Sequence, residues 1–163
     1  MKDSLKVLIV AGEGGHFAQA KRFVNLECTN SNLVEYTVIS DSSSYIDNVK
    51  VIKEIKLSKF TKNRNFFNLI VFFVLSIYVF FHSLFYVINC EARVIVSFGP
   101  IISIPYLFWG KLLGKKVVHI ETWSRFYTKS MTGKIAYHLA DKFVIQNEEL
   151  KALYPLAIYG GRL

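Results

Sequence analysis

LKVLIVAGEGGHF, residues 5–17, is the stretch from which the fold is read. Residues 6–11 are apolar after a leading lysine and β-branched at Val7, Ile9 and Val10, and they run straight into Gly12-Glu13-Gly14-Gly15-His16. Helix formers resume at once in FAQAKRFVNL. The order is strand, glycine loop, helix N-terminus. A short apolar run bounded by glycines suits a strand buried on both faces, as in a parallel sheet. Glycines let the backbone turn tightly and approach a ligand, and the unpaired N–H groups of a helix start attract an anion. Residues 12–16 are therefore expected to face a phosphate-bearing ligand.

The same alternation runs through the rest of the chain. Periodicity and punctuation predict helices over 17–27, 66–88, 101–113, 133–140 and 148–153. Strands are predicted over 33–40, 49–55, 93–97, 116–121, 142–145 and 157–159, with a loop over 122–132. Pro100 suits the first turn of a helix, and Pro105 suits a kink. Strands alternating with helices give a Rossmann-like, doubly wound α/β sheet with ligands at the strands' C-terminal ends. A length of 163 residues fits a single domain with a substantial core.

Residues 66–88, FFNLIVFFVLSIYVFFHSLFYVI, have the length and composition to span a bilayer. Asn68, Ser76, Ser83 and Cys90 recur seven or eight residues apart, so on a helix they form one narrow polar seam. Such a helix is buried all round or sits in lipid. A true span would put the strands before and after it on opposite sides of the membrane, where they could not share a sheet. Phe72, Phe73, Phe80 and Phe81 are accordingly expected to dip into one leaflet, with Lys56, Lys59, Lys62 and Arg64 at the headgroups.

The net charge of +8 beside 52% hydrophobic residues points the same way, because the lysines flank long apolar runs. That pattern suits anionic lipid rather than nucleic acid. Cys28 and Cys90 have no metal-like spacing and read as reduced thiols of a cytosolic compartment. The first apolar run is too short for a secretory signal. The expected location is the cytoplasmic face of the plasma membrane, peripheral or monotopic.

Three constellations carry chemistry. The first loop fails as a dinucleotide fingerprint, since Phe17 stands where a third glycine or alanine belongs, and it has no Walker lysine. His16 is either a helix-capping residue or a general base that titrates near neutral pH. Val96-Ser97-Phe98-Gly99-Pro100 is a second strand–glycine–helix turn, and strands one and four would flank the switch point of such a sheet. In His119-Ile120-Glu121-Thr122-Trp123-Ser124-Arg125, Glu121 has two readings. It pairs with Arg125 for structure, or it binds sugar or helps His16 while Arg125 meets a phosphate. His82 and His138 read as structural, and neither a metal site nor a cofactor is expected.

The blocks AGEGGH, VSFGP, HIETWSR, TGKIAYHLADKFVIQNEEL and YPLAIYGG, in this order over nearly the whole chain, resemble the bacterial PssD/EpsE/CpsF-type polysaccharide biosynthesis proteins. These are similar to the membrane-anchoring subunit of the two-part enzyme that adds the second N-acetylglucosamine to dolichol diphosphate. More distantly, the chain resembles the N-terminal half of MurG-type GT-B transferases. The resemblance implies an acceptor-binding half of a split inverting glycosyltransferase for capsule or exopolysaccharide, spanning 1–163 with its membrane-associated helix at 66–88. It implies that Gly14, Gly15 and Gly99 hold the diphosphate of a polyprenyl-diphosphate-linked saccharide, which the loop reading of Arg125 on a phosphate would join. His16 would be the base, helped by Glu121, and a partner subunit would bind the nucleotide sugar. Glu13 departs from the small hydroxyl residue often found between those glycines. Two rivals stand beside this reading: a non-catalytic membrane scaffold that recruits the transferase, and a nucleotide-dependent oxidoreductase, which Phe17 disfavours.

Overall fold

A computed structural model describes residues 4–30, 34–41, 45–47, 49–53 and 66–163, with backbone only at 27–30. Lys56, Lys59, Lys62, Arg64 and the Cys28 thiol lie outside the described residues. The strands are β1 (Leu5–Ala11), β2 (Val34–Ser40), β3 (Lys50–Lys53), β4 (Val94–Ser97), β5 (Lys116–Ile120), β6 (Lys142–Ile145) and β7 (Ile158–Tyr159). The helices are α1 (Gly15–Asn30), α2 (Phe66–Asn89), α3 (Ser103–Leu112) and α4 (Met131–Leu139), with a 3₁₀ turn at Glu148–Ala152.

Among the described residues, seven strands join one parallel sheet in the order β3-β2-β1-β4-β5-β6-β7. β1 lies inside the sheet between β2 and β4 and pairs Val10 with Ser97 of β4, the middle strand, while Ser97 pairs with His119 of β5. The C-terminal ends of these three strands share one edge. There lie residues 12–16, 98–100 and 121–125.

Side-chain alternation divides the core in two. Leu8, Val10, Ile95 and Val117 face a cluster that takes in residues of α2, α3 and α4, such as Val79, Tyr106 and Ala136. Val7, Ile9, Ala11 and Val38 face the other way, against Phe17, Ala20 and Val24 of α1. Among the described residues α1 is the one helix on that second face. Val94, Val118 and Val144 are left half-buried there, and with Leu163 they line a groove of about 410 Å³. Parallel strands are normally covered on both faces.

Three helix starts differ from expectation, each for a capping reason. α1 begins at Gly15 because Gly14, at φ +64°, turns the chain and its carbonyl already accepts from Ala18 N at 3.0 Å. α3 begins at Ser103, whose N and Oγ both donate to the Pro100 carbonyl, at 2.9 and 2.7 Å. Pro105 then falls in the first turn, where its missing N–H has no intrahelical partner to lose. α4 begins at Met131 because Ser130 caps it, its Oγ accepting from Gly133 N at 2.7 Å.

α2 is long and apolar enough to cross a membrane. Yet β1 to β3 precede it, β4 to β7 follow it, and β1 pairs directly with β4, so both flanks belong to one sheet. Its packed side is the polar seam. Ser83 is fully buried, its hydroxyl donating to Phe80 O at 2.8 Å, and Ser76 donates to Phe72 O at 2.7 Å. The outward side carries Phe67, Ile70, Phe73, Val74, Ile77, Phe81 and Phe85, all exposed. This inverts a soluble protein's helix, which turns its polar side to water.

The four expected membrane phenylalanines divide between these sides. Phe73 and Phe81 are 62% and 61% exposed. Phe72 and Phe80 turn inward, contrary to expectation, because residues seven or eight apart share a helix face and this face meets α3. Phe72 packs on the core, and the Phe80 ring lies 4.8 Å from that of Trp109 and 5.8 Å from that of Phe108. Trp109 Nε1 donates to the Phe80 carbonyl at 2.9 Å and ties the two helices together.

Candidate active site

The two glycine turns meet around one imidazole. A Cβ on Gly12 would stand 3.0 Å from Pro100 Cβ and 3.6 Å from His16 Cδ2. A Cβ on Gly99, at φ +102°, would stand 2.9 Å from His16 Cε1 and 3.1 Å from Nδ1. Any side chain at Gly99 would thus be strained by its backbone and collide with the ring. Gly14 and Gly15 instead face open space at the first turn of α1.

His16 is half-buried, and its Nδ1 is enclosed with no hydrogen bond of standard geometry among the described residues, while the Phe98 backbone lies close enough to act on the ring. Burial holds its pKa below 6.5, outweighing the opposing pull of the Phe98 backbone and of the Glu121 and Asp41 carboxylates. The ring is therefore neutral at pH 7, the state a general base requires.

Glu121 is fully buried and committed to its own loop. Oε1 accepts from Thr122 N at 3.0 Å, while Oε2 accepts from Ser130 Oγ at 2.9 Å and Tyr154 Oη at 3.1 Å. Burial and this carboxylate push the Tyr154 phenol well above its ordinary pKa. The carboxylate also faces the N-terminus of α4, where a Cβ on Gly133 would fall 1.9 Å from Oε2. Glu121 acts on His16 through its charge, and its hydrogen bonds fold the 121–130 loop. Arg125 is exposed and donates from Nη1 to Thr128 Oγ1 at 3.1 Å, so the structural pair with Glu121, one of its two readings, is not made.

Several polar residues that support this edge were not singled out from the sequence. Gln19, Gln146 and Asn147 are buried. Gln146 Nε2 donates to Gln19 Oε1 at 2.5 Å and to Glu121 O at 2.9 Å, and Gln19 Nε2 donates to Gly15 O at 3.2 Å. Asn147 Nδ2 donates to Trp123 O at 2.7 Å. His119 is fully buried on β5 beside Ser97, with its pKa pushed down to about 3 by burial and by the like charge of His16. The signal available in the sequence was parity, since Ser97 and His119 occupy inward-facing positions of strands that are otherwise apolar.

This geometry can be set beside known proteins. The family model for oligosaccharide biosynthesis proteins like Alg14 matches residues 7–163. The chain belongs to the Alg14-like family. It is 28% identical over 187 residues to the mouse (Mus musculus) UDP-N-acetylglucosamine transferase subunit ALG14, covering 99% of this chain and 84% of the relative. The human (Homo sapiens) subunit of the same name matches with the same identity and coverage, 28%, 99% and 84%. Among solved structures, MurG of Acinetobacter baumannii superposes with a TM-score of 0.65 at 13% identity, over 98% of this chain and 44% of that one. The chain therefore spans less than half the length of that structure and shares its fold over that part. The family that matches is the Alg14-like one, that of the subunit to which the PssD/EpsE/CpsF-type proteins were likened, and it stands in place of that bacterial naming.

Proposed function

We propose that this chain is the acceptor-binding, membrane-associated subunit of a split inverting glycosyltransferase. A partner subunit holds a nucleotide sugar, and the acceptor is a saccharide on a polyprenyl diphosphate. The observation that carries this reading is His16, a neutral imidazole enclosed by two glycine turns at the C-terminal edge of the sheet. The relatives support the partner and the donor class: they are named as subunits of a UDP-N-acetylglucosamine transferase, and the chain covers 84% of the mouse subunit.

The chemistry follows from this placement. The acceptor hydroxyl gives its proton to the His16 imidazole as its oxygen attacks the anomeric carbon, and the bond from that carbon to the nucleotide diphosphate breaks. Gly14 and Gly15 leave room for the acceptor diphosphate at the start of α1, with Gly99 across the cleft and Arg125 at the rim. The exposed face of α2, with Phe73 and Phe81, lies in one leaflet and keeps the lipid-linked acceptor near the edge where α2 begins. The setting is capsule or exopolysaccharide synthesis at the cytoplasmic face of the plasma membrane.

The test is reconstitution with the donor-binding subunit, following radiolabelled sugar from UDP-N-acetylglucosamine to a lipid-linked acceptor. His16→Ala is expected to lower transfer by about 10²–10⁴-fold while the two subunits still co-purify. Full transfer by that variant would leave the chain a scaffold.

A further inference from the structure

Behind the Gly99 turn lies a chain of buried polar groups that the transfer chemistry has not used. Ser97, Ser103 and His119 are all fully buried. Ser103 Oγ donates to Pro100 O at 2.7 Å, and Ser97 Oγ lies 2.7 Å from Ser103 Oγ. Gly99 N donates to Ser97 Oγ at 3.3 Å, and His119 Nδ1 lies 3.1 Å from the same oxygen.

Only one arrangement of protons makes all four contacts hydrogen bonds. Pro100 O can only accept, so the Ser103 proton points to it. Ser103 Oγ must then accept the Ser97 proton. Ser97 Oγ, its proton spent, accepts from Gly99 N and from His119, so His119 carries its proton on Nδ1. Its Nε2 is left bare, which agrees with that atom being buried without a partner among the described residues. The opposite tautomer would bury an unpaired N–H and forfeit a bond in the chain.

This chain fixes the turn on which the His16 ring rests. Gly99 and Pro100 are held by Ser97 and Ser103, and the His16 ring fills the space a Gly99 side chain would take, its Cε1 and Nδ1 lying 2.9 and 3.1 Å from where a Cβ would stand. We propose that His119, held as the Nδ1–H tautomer, is a positioning residue that sets the orientation of the 97–103 turn and through it the place of the His16 imidazole. The catalytic part of this inference rests on His16 being the base. The proton arrangement does not.

Two measurements test it separately. In the wild-type chain, labelled with ¹⁵N-histidine, long-range ¹H–¹⁵N correlations are expected to show His119 protonated at Nδ1 and bare at Nε2 from about pH 5 to 8. A proton on Nε2 anywhere in that range overturns the arrangement, whatever the protein catalyses. In the reconstituted transferase, His119→Asn places an amide donor near the Nδ1 position, whereas His119→Leu supplies none. The Asn variant is expected to retain kcat within about threefold and the Leu variant to lose about tenfold, with KM for the nucleotide sugar unchanged in both. The titration midpoint of His16, read by the same NMR experiment, is expected to move in the Leu variant and stay in the Asn variant. Equal behaviour of the two variants in kcat and in that midpoint overturns the positioning role. Absence of transfer by the wild-type pair sinks the transferase reading alone.

Discussion

Acidification is expected to weaken this fold through one residue whose contribution can be worked out. His119 is fully buried on β5 against Phe143, with ring centroids 4.9 Å apart, and its pKa is pushed from 6.5 to about 3. Unfolding returns it to water. Because the folded-state pKa is the lower one, the unfolded chain binds the extra proton. The stabilisation is therefore complete above the unfolded value of 6.5 and is lost as pH falls from 6.5 toward 3. With 1.36 kcal/mol per pH unit, the loss between pH 7 and pH 5 is about 2 kcal/mol from this side chain, approaching about 5 kcal/mol near pH 3. His16, whose pKa is also lowered, adds in the same direction. Urea unfolding in detergent, followed by tryptophan fluorescence at both pH values, measures the change. His119→Asn cannot titrate there, so its stability should fall by about 2 kcal/mol less over the same interval. Carboxylates such as Asp141, held low by Lys111, are common to both chains and cancel in the comparison. Parallel losses in the two chains would refute the argument, since they would mean that His119 protonates in the folded state as readily as in water.

Gly133→Ala should destabilise the chain by about 3 kcal/mol or more, read as a lowered urea midpoint, because its Cβ would fall 1.9 Å from the buried Glu121 carboxylate. Phe73→Glu with Phe81→Glu should abolish flotation with anionic vesicles and leave the urea midpoint nearly unchanged. Phe80→Ala, on the packed side of the same helix, should instead cost about 3 kcal/mol of stability. The acid limb of kcat/KM for the reconstituted transferase should have its midpoint below 6.5, following the lowered pKa of His16. A midpoint above 6.5 would count against His16 as the base.

Much of this architecture is written locally. The apolar run of β1 followed by Gly12, Gly14 and Gly15 specifies strand, turn and helix over a dozen residues, and β4 with Gly99 and α3 repeats that logic. Alternation of such units leads to the parallel sheet, and the pairing of β1 with β4 brings the two glycine turns together. His16 was legible because it closes a glycine turn at a strand's end. What remained hidden were choices between chemically similar alternatives. An apolar helix such as α2 offers several faces to a core, and only contact with α3 determined that Ser83 and Phe80 turn inward while Phe73 and Phe81 turn out. Glu121 had several eligible partners, and Ser130, Tyr154 and Gly133 met it only when loop, helix and C-terminal region packed together. Ser97 and His119 are far apart in the chain, and parallel pairing of β4 with β5 makes them neighbours. The sequence by itself determined the elements and their order, because backbone preference and hydrophobic period act over a few residues. The tertiary structure alone decided which polar groups share a proton and which apolar face stays open, because those outcomes depend on neighbours that only folding supplies.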